Sequence, residues 1–131
     1  MLKLDHVALQ VADMDRAIAF YTKEIGLELL SDEIDETHHE RFAFLRLDGG
    51  NLELLQVLDE RNCPRPYLPP PVSSSHCPHV AIGTLDMDRL LDELKRGQVN
   101  VVKGPLEIPG MVRWVYVRDL DNNVLEFVQW L

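Results

Sequence analysis

The sequence predicts an α+β fold of two tandem βαβββ modules, each a mostly antiparallel sheet with its helix on one face. Three observations predict it. The chain repeats itself, its apolar period switches from two to about 3.6 and back within each copy, and a Pro-rich segment separates the copies. Leu4-Asp5-His6-Val7-Ala8-Leu9-Gln10-Val11-Ala12-Asp13-Met14-Asp15-Arg16 recurs as Cys77-Pro78-His79-Val80-Ala81-Ile82-Gly83-Thr84-Leu85-Asp86-Met87-Asp88-Arg89, an offset of 73 (79 − 6). Asn51-Leu52-Glu53-Leu54-Leu55 recurs as Val124-Leu125-Glu126-Phe127-Val128 at the same offset (126 − 53). Between these anchors Arg41-Phe42-Ala43-Phe44-Leu45-Arg46 matches Arg113-Trp114-Val115-Tyr116-Val117-Arg118 at 72 (113 − 41), which implies a one-residue difference in the turn that follows.

The elements follow in order. His6 to Val11 alternates as a strand, Asp13 caps a helix whose Ala17, Phe20, Tyr21 and Ile25 share one face, and Gly26 ends it. In the second copy His79 to Gly83 is the strand, Asp86 the cap, Leu90, Leu91 and Leu94 the buried stripe and Gly97 the stop. Three strands follow each helix, at about 27–36, 41–47 and 51–57, then 99–103, 111–118 and 123–129. Asp48-Gly49-Gly50 and Asp121-Asn122-Asn123 are the last turns. The modules are therefore 1–57 and 76–131. Residues 58–75, with the prolines and Ser73-Ser74-Ser75, form a stiff extended linker.

Composition excludes several classes. At 131 residues the chain is one domain or two small modules sharing a core. A hydrophobic share of 46% is too high for disorder, yet no apolar run approaches the roughly 20 residues needed to span a bilayer. A net charge of −9 without any basic cluster excludes nucleic acid as the partner. The start, Met1-Leu2-Lys3-Leu4-Asp5-His6, has no apolar leader, so the expected compartment is the cytoplasm. Cys63 and Cys77, the only cysteines, are expected as free thiols. The chain has no Gly-rich phosphate loop, nucleophile elbow or catalytic Cys-His pairing.

The candidate chemistry lies in His6, Glu53, His79 and Glu126. Strand alternation puts His6 on one face with Ala8 and Gln10, and His79 with Ala81 and Gly83, so a small residue leaves room beside each imidazole. Glu53 and Glu126 sit among apolar neighbours, where a carboxylate is unfavourable unless paired or bound to a cation. A lone strand His is ordinarily a hydrogen-bonded core or surface residue, and a lone Glu is ordinarily solvated. Recurrence of both at equivalent positions changes that reading. A divalent ion would neutralise two carboxylates that otherwise repel and would accept two neutral imidazoles. The N₂O₂ set suits Zn, Ni, Co, Mn or Fe. His76, Cys77 and His79 form a weaker alternative cluster. His38 and His39 read as a solvated hairpin tip, with closure over a pocket as the alternative. The matched Arg41 and Arg113 either hold a substrate carboxylate or face solvent.

These residues resemble the vicinal oxygen chelate superfamily, which joins glyoxalases, bleomycin-resistance proteins and dioxygenases. The resemblance rests on Asp5 to Tyr21 running on to Ile25-Gly26-Leu27, on His79 to Ile82, and on Asp119 to Phe127. It implies paired modules curling into a cup around one divalent metal, with ligands in glyoxalase I falling on His6, Glu53, His79 and Glu126. Glu53 leans toward the glyoxalase side, since methylmalonyl-CoA epimerase has Gln there and extradiol dioxygenases have no ligand. Glutathione contacts of glyoxalase I correspond to Gln10 and Val57, where that enzyme has Arg and Asn. The turn before Glu126 departs from the family's Asp-Pro-Asp-Gly at Leu120 and Asn122, and Asn tolerates a left-handed backbone.

The function expected from this is a metal-dependent lyase or isomerase that chelates vicinal oxygens of a small carbonyl substrate and stabilises an enediolate. Glu126 or Glu53 would serve as base, and Gln10 and Arg113 as substrate contacts. The alternatives are an iron-dependent extradiol-type dioxygenase using His6, His79 and Glu126, and a non-catalytic small-molecule binding protein of the resistance type. A homodimer is expected, because an open cup leaves sheet edges exposed; the ligands then come from one chain or are exchanged between two.

Overall fold

A computed structural model describes residues 1–74 and 77–131. They form two compact units, Met1–Pro69 and Pro70–Leu131. The first holds β1 (His6–Gln10), α1 (Met14–Ala19), a π-helical turn (Phe20–Glu24), β2 (Leu29–Asp35), β3 (Glu40–Leu45) and β4 (Asn51–Val57). The second holds β5 (Val80–Gly83), α2 (Met87–Arg96), β6 (Asn100–Ile108), β7 (Val112–Arg118) and β8 (Val124–Trp130). Each unit is thus the expected strand, helix and three strands.

The sheet orders are β1-β4-β3-β2 and β5-β8-β7-β6. The β1–β4 and β5–β8 pairings are parallel and the others antiparallel. A helix and a hairpin intervene before β4 or β8 returns beside the first strand, which is the length of chain a parallel crossover requires. Both helices start where their Asp caps lie: Asp13 accepts the Arg16 amide at 3.1 Å and Asp86 accepts the Arg89 amide at 3.0 Å. The first helix ends as expected at Gly26, whose φ of +87° suits glycine. There the Leu27 amide reaches back to the Tyr21 carbonyl at 2.9 Å, closing a Schellman-type turn.

The helix packs on one face of its own sheet. In the first unit Met14, Ala17, Phe20 and Tyr21 are buried with Leu45, Leu52 and Leu54; in the second, Met87, Leu90 and Leu94 with Val115, Val117, Leu125 and Phe127. Each large side chain so buried contributes about 1.5–3 kcal/mol. A matched glutamine fixes each helix entry. Gln56 donates to the Ala12 carbonyl and Gln129 to the Leu85 carbonyl, both at 2.9 Å, and Gln129 also accepts the Met87 amide at 3.0 Å. Each clamp bonds only backbone groups of the loop or the first helical residue, so it does not depend on the side chains of that loop.

Several boundaries differ from expectation. Gly97 ends α2 with φ −77°, and the left-handed position is taken by Gln98 at φ +55°. β6 continues beyond 103 to Ile108 because its register shifts between Lys103 and Leu106, letting Gly104 and Pro105 pass as an irregularity on an edge strand. The Pro-rich segment is not extended at its start. Leu58 bridges Pro64, the Arg65 amide donates to the Val57 carbonyl, and Asp59 accepts the Arg61 and Cys63 amides, so 58–65 form a folded loop of the first unit. No helix among the described residues is long and apolar enough to cross a membrane.

Candidate functional site

Each unit brings one His and one Glu together. In the parallel β1–β4 ladder Ala8 lies opposite Glu53, and in β5–β8 Ala81 lies opposite Glu126. The small side chain leaves open the space beside each carboxylate that a larger residue would fill. His6 Nε2 stands 3.7 Å from Glu53 Oε1, and His79 Nε2 stands 4.0 Å from Glu126 Oε1. The glutamate side chains are only 12% and 17% exposed.

The other imidazole nitrogen is tethered in both cases. His6 Nδ1 is 2.7 Å from Asp5 Oδ2, and His79 Nδ1 is 2.8 Å from the Cys77 carbonyl. A carbonyl only accepts, so Nδ1 of His79 is the donor there and Nε2 is the nitrogen nearer Glu126. The Asp5 carboxylate imposes the same orientation on His6. That hydrogen bond, aided by the charge of Glu53, raises the His6 pKa above its ordinary value against some desolvation. Ring packing completes each pair: the imidazole of His6 meets Phe44 edge-on at 5.4 Å, and that of His79 meets Tyr116 at 5.3 Å.

This donor set fits a divalent cation. A neutral Nε2 and a carboxylate are both acceptors, and at 3.7 and 4.0 Å they are too far apart for a direct hydrogen bond. Adjacent ligands about 2.1 Å from one ion stand about 3.0–3.4 Å apart, so each pair would have to draw closer by a few tenths of an ångström to share one. Tethering of the non-ligating nitrogen is the second-sphere arrangement that holds metal-binding histidines. Among the described residues, no group of three or more His, Cys, Asp or Glu side chains is placed to hold one metal ion, so the structure shows the two pairs and not a four-ligand site.

The remaining candidates are placed as follows. Gln10 closes β1 on the face of His6 and is exposed. Arg113 lies elsewhere: its guanidinium donates to Asp88 of α2 at 2.9 Å and comes within 3.9 Å of Glu107. It is therefore on the helix side of the sheet, opposite the face of Glu126, where it ties α2 to β7. Arg41 does the same in the first unit, donating to Asp15 of α1 at 2.8 Å and to both oxygens of Asp32 at 2.9 and 2.7 Å. The Arg41 hydrogen bonds hold the Asp32 carboxyl below its usual range.

His38 and His39 separate. His38 is exposed and bonded to Asp35 at 2.8 Å, whereas His39 is part-buried and bonded to Asn62 at 2.7 Å, linking the hairpin tip to the 58–65 loop. Both line a cavity of about 420 Å³ with Glu40, Leu58 and Arg65. Cys63 and Cys77 are free thiols. The His76-Cys77-His79 alternative involves His76, which lies outside the described residues.

Trp114 and Tyr116 were not singled out from sequence. Tyr116 stands directly across β7–β8 from Glu126 and is 8% exposed. Burial, then the Glu126 interaction, pushes its phenol above the ordinary pKa. Their alignment with Phe42 and Phe44 was the signal that could have found them.

Comparison with known proteins agrees with this architecture. The chain is 26% identical over 130 residues to the "Probable lactoylglutathione lyase" of Vibrio parahaemolyticus, covering 95% of this chain and 88% of that protein. Its fold matches a glyoxalase family protein from Bacillus cereus with a TM-score of 0.80 at 20% identity, over 100% of this chain and 95% of the other. It also matches TnmS3, an antibiotic binding protein from Streptomyces, with a TM-score of 0.74 at 22% identity, over 100% and 98% of the two chains. The model of the Glyoxalase/Bleomycin resistance protein/Dioxygenase superfamily matches residues 3–127. Because that match takes in both halves of the duplication, the chain belongs to the glyoxalase/bleomycin resistance protein/dioxygenase superfamily.

Proposed function

We propose that this protein is a glyoxalase I-like lyase or isomerase, acting on a small carbonyl substrate with His6, Glu53, His79 and Glu126 as ligands of one divalent metal ion. Divalent metals are common in the superfamily, which includes metal-dependent lyases. The observation that carries the reading is the twice-repeated pair of a tethered imidazole and a little-exposed carboxylate, 3.7 and 4.0 Å apart. A bound ion would act as a Lewis acid toward a carbonyl and its neighbouring oxygen, making the adjacent C–H acidic.

The chain's own part is proton transfer. One of the two carboxylates, Glu126 or Glu53, takes the proton from that carbon and returns it to the neighbouring one, a redox-neutral isomerisation. Gln10, exposed on the His6 face, is the proposed substrate contact. The Arg113 guanidinium is committed to α2. The working form is a homodimer, in keeping with β1 and β5 lying at the edges of their sheets.

The test is elemental analysis of purified protein with and without His6→Ala, together with deuterium exchange at the α-carbon of small α-oxo substrates. Stoichiometric metal lost in the variant, with exchange that follows the metal, is the expected result. Wild-type protein that retains and takes up no divalent metal would refute the reading in favour of a non-catalytic binding protein.

A further inference from the structure

The sheet face that carries Glu53 has charge of one sign. Residues paired directly across an antiparallel ladder share a face, so Phe44, Phe42 and Glu40 of β3 lie with Glu53, Leu55 and Val57 of β4. Ser31, Glu33 and Asp35 of β2 pair with those three β3 residues and lie on the same side. Besides His6, the charged strand residues of this face are therefore Glu33, Asp35, Glu40 and Glu53, all acidic. The only Lys or Arg in the four strands is Arg41, which is on the helix side and bonded to Asp15 and Asp32. Arg46, which follows β3, is committed to Glu28 at 2.8 Å. Asp35 is bonded to His38, and Glu33 and Glu40 meet no Lys or Arg on the face.

Between the acids the face is apolar. Phe42 and Phe44 meet edge-on at 6.1 Å, and both are half-buried, as are Leu55 and Val57 along β4. From Glu53 to Val57 the strand advances four residues (57 − 53), about 13 Å at about 3.3 Å per residue. There Glu40 and Val57 line the cavity of about 420 Å³, in which the carboxylates of Glu40, Asp59 and Glu60 stand against the single guanidinium of Arg65. Phenyl rings beside carboxylates attract a cation twice over, through the ring quadrupole and through charge. A ligand bearing carboxylates would meet like charge along the whole face.

From this we infer that the first unit recognises a small organic cation, an ammonium group carried on an aromatic or apolar body, lying along Phe42, Leu55 and Val57 with its charge toward Glu40 and Glu33. The inference rests on the reading above in taking the Glu53 face as the substrate side, and it names the class of substrate bound there. Binding of this kind needs no metal.

Three probes of one skeleton separate charge from shape. They are 4-phenylbutylamine, 4-phenylbutanol and 4-phenylbutyrate, each titrated calorimetrically into the metal-free whole protein at neutral pH and low salt. The amine should bind about 10-fold more tightly than the alcohol, and the butyrate should bind more weakly than either. Glu40→Gln should cost the amine about 5-fold and leave the alcohol unchanged, with a smaller loss for Glu33→Gln. Glu93→Gln, which removes an acid of α2 paired with Arg89, should alter neither. Butyrate bound as tightly as the amine, an amine preference that survives Glu40→Gln and Glu33→Gln together, or an equal loss in Glu93→Gln overturns the inference. So does failure of all three probes to bind. Elemental analysis of the same protein judges the metal reading separately: selective amine binding by a protein that takes up no metal keeps this inference and removes that reading. Both Gln changes preserve side-chain size, and thermal unfolding of each variant identifies any misfolding.

Discussion

Removing the Asp119 carboxylate should loosen the turn that sets the register of Glu126. Asp119 is 2% exposed, and its Oδ1 accepts the amides of Asp121 at 2.8 Å and Asn123 at 2.9 Å, while Oδ2 accepts Asn123 Nδ2 at 2.9 Å. Asp119→Ala takes the acceptor from two backbone donors in a little-exposed turn. At about 1–3 kcal/mol for each donor left without a partner, the loss is about 2–6 kcal/mol, a large share of the roughly 5–15 kcal/mol a domain has in total. Asp119→Asn keeps one carbonyl oxygen for the same two amides and should lose only about 1–2 kcal/mol. Urea unfolding at neutral pH, followed by tryptophan fluorescence, measures both. The two tryptophans, Trp114 and Trp130, lie in the second unit, so the signal reports where the change is made. With an m-value of about 1.5 kcal/mol/M, a loss of about 4 kcal/mol lowers the midpoint by nearly 3 M. The reasoning is refuted if Asp119→Ala stays within about 1 kcal/mol of wild type, or if Asp119→Asn is equally damaging.

Two further predictions concern the parts that support the site. Arg41→Ala should destabilise the protein by about 1 kcal/mol at pH 7, allowing for solvent screening of a partly exposed pair. The Asp32 carboxyl is lowered by Arg41, so this contribution is full above the unfolded carboxylate value of about 3.9 and fades as pH falls through the lower folded value. Unfolding free energies of the two proteins should therefore converge in acid, and a gap that widens there contradicts the assignment. Gly104→Ala forces a Cβ to within 3.2 Å of the Leu106 nitrogen and the Trp114 oxygen at φ +103°, whereas Gly110→Ala at φ +75° meets nothing within 4 Å. Calorimetry should show a loss of about 2–3 kcal/mol for the first and about 1 kcal/mol for the second.

The sequence was enough to establish the duplication, and with it the order of elements, because side-chain period and helix caps are local properties. Asp13 and Asp86 cap where expected since capping involves only the next three residues. Asn122 takes φ +60°, as its tolerance of a left-handed backbone allows. The offset of 73 also marked His6 and His79, and Glu53 and Glu126, as equivalent positions, because a duplicated module repeats its residues where it repeats its fold. Local signals failed where the chain folds on itself. The segment 58–75 reads as extended from its prolines, yet at its start bonds to Val57 and Asp59 close the 58–65 loop.

Strand face and cross-strand pairing belong to the tertiary structure. Arg41 and Arg113 alternate with their neighbours whichever way the strand is turned, so only packing against α1 and α2 could place them on the helix side. Tyr116 comes to lie opposite Glu126 through the length and bonding of the turn between β7 and β8, and one residue more or less there would present a different side chain. The imidazole tethers to Asp5 and to the Cys77 carbonyl likewise depend on rotamers set by neighbouring strands. Composition and period specify which groups are available; the pairing of strands decides which of them meet.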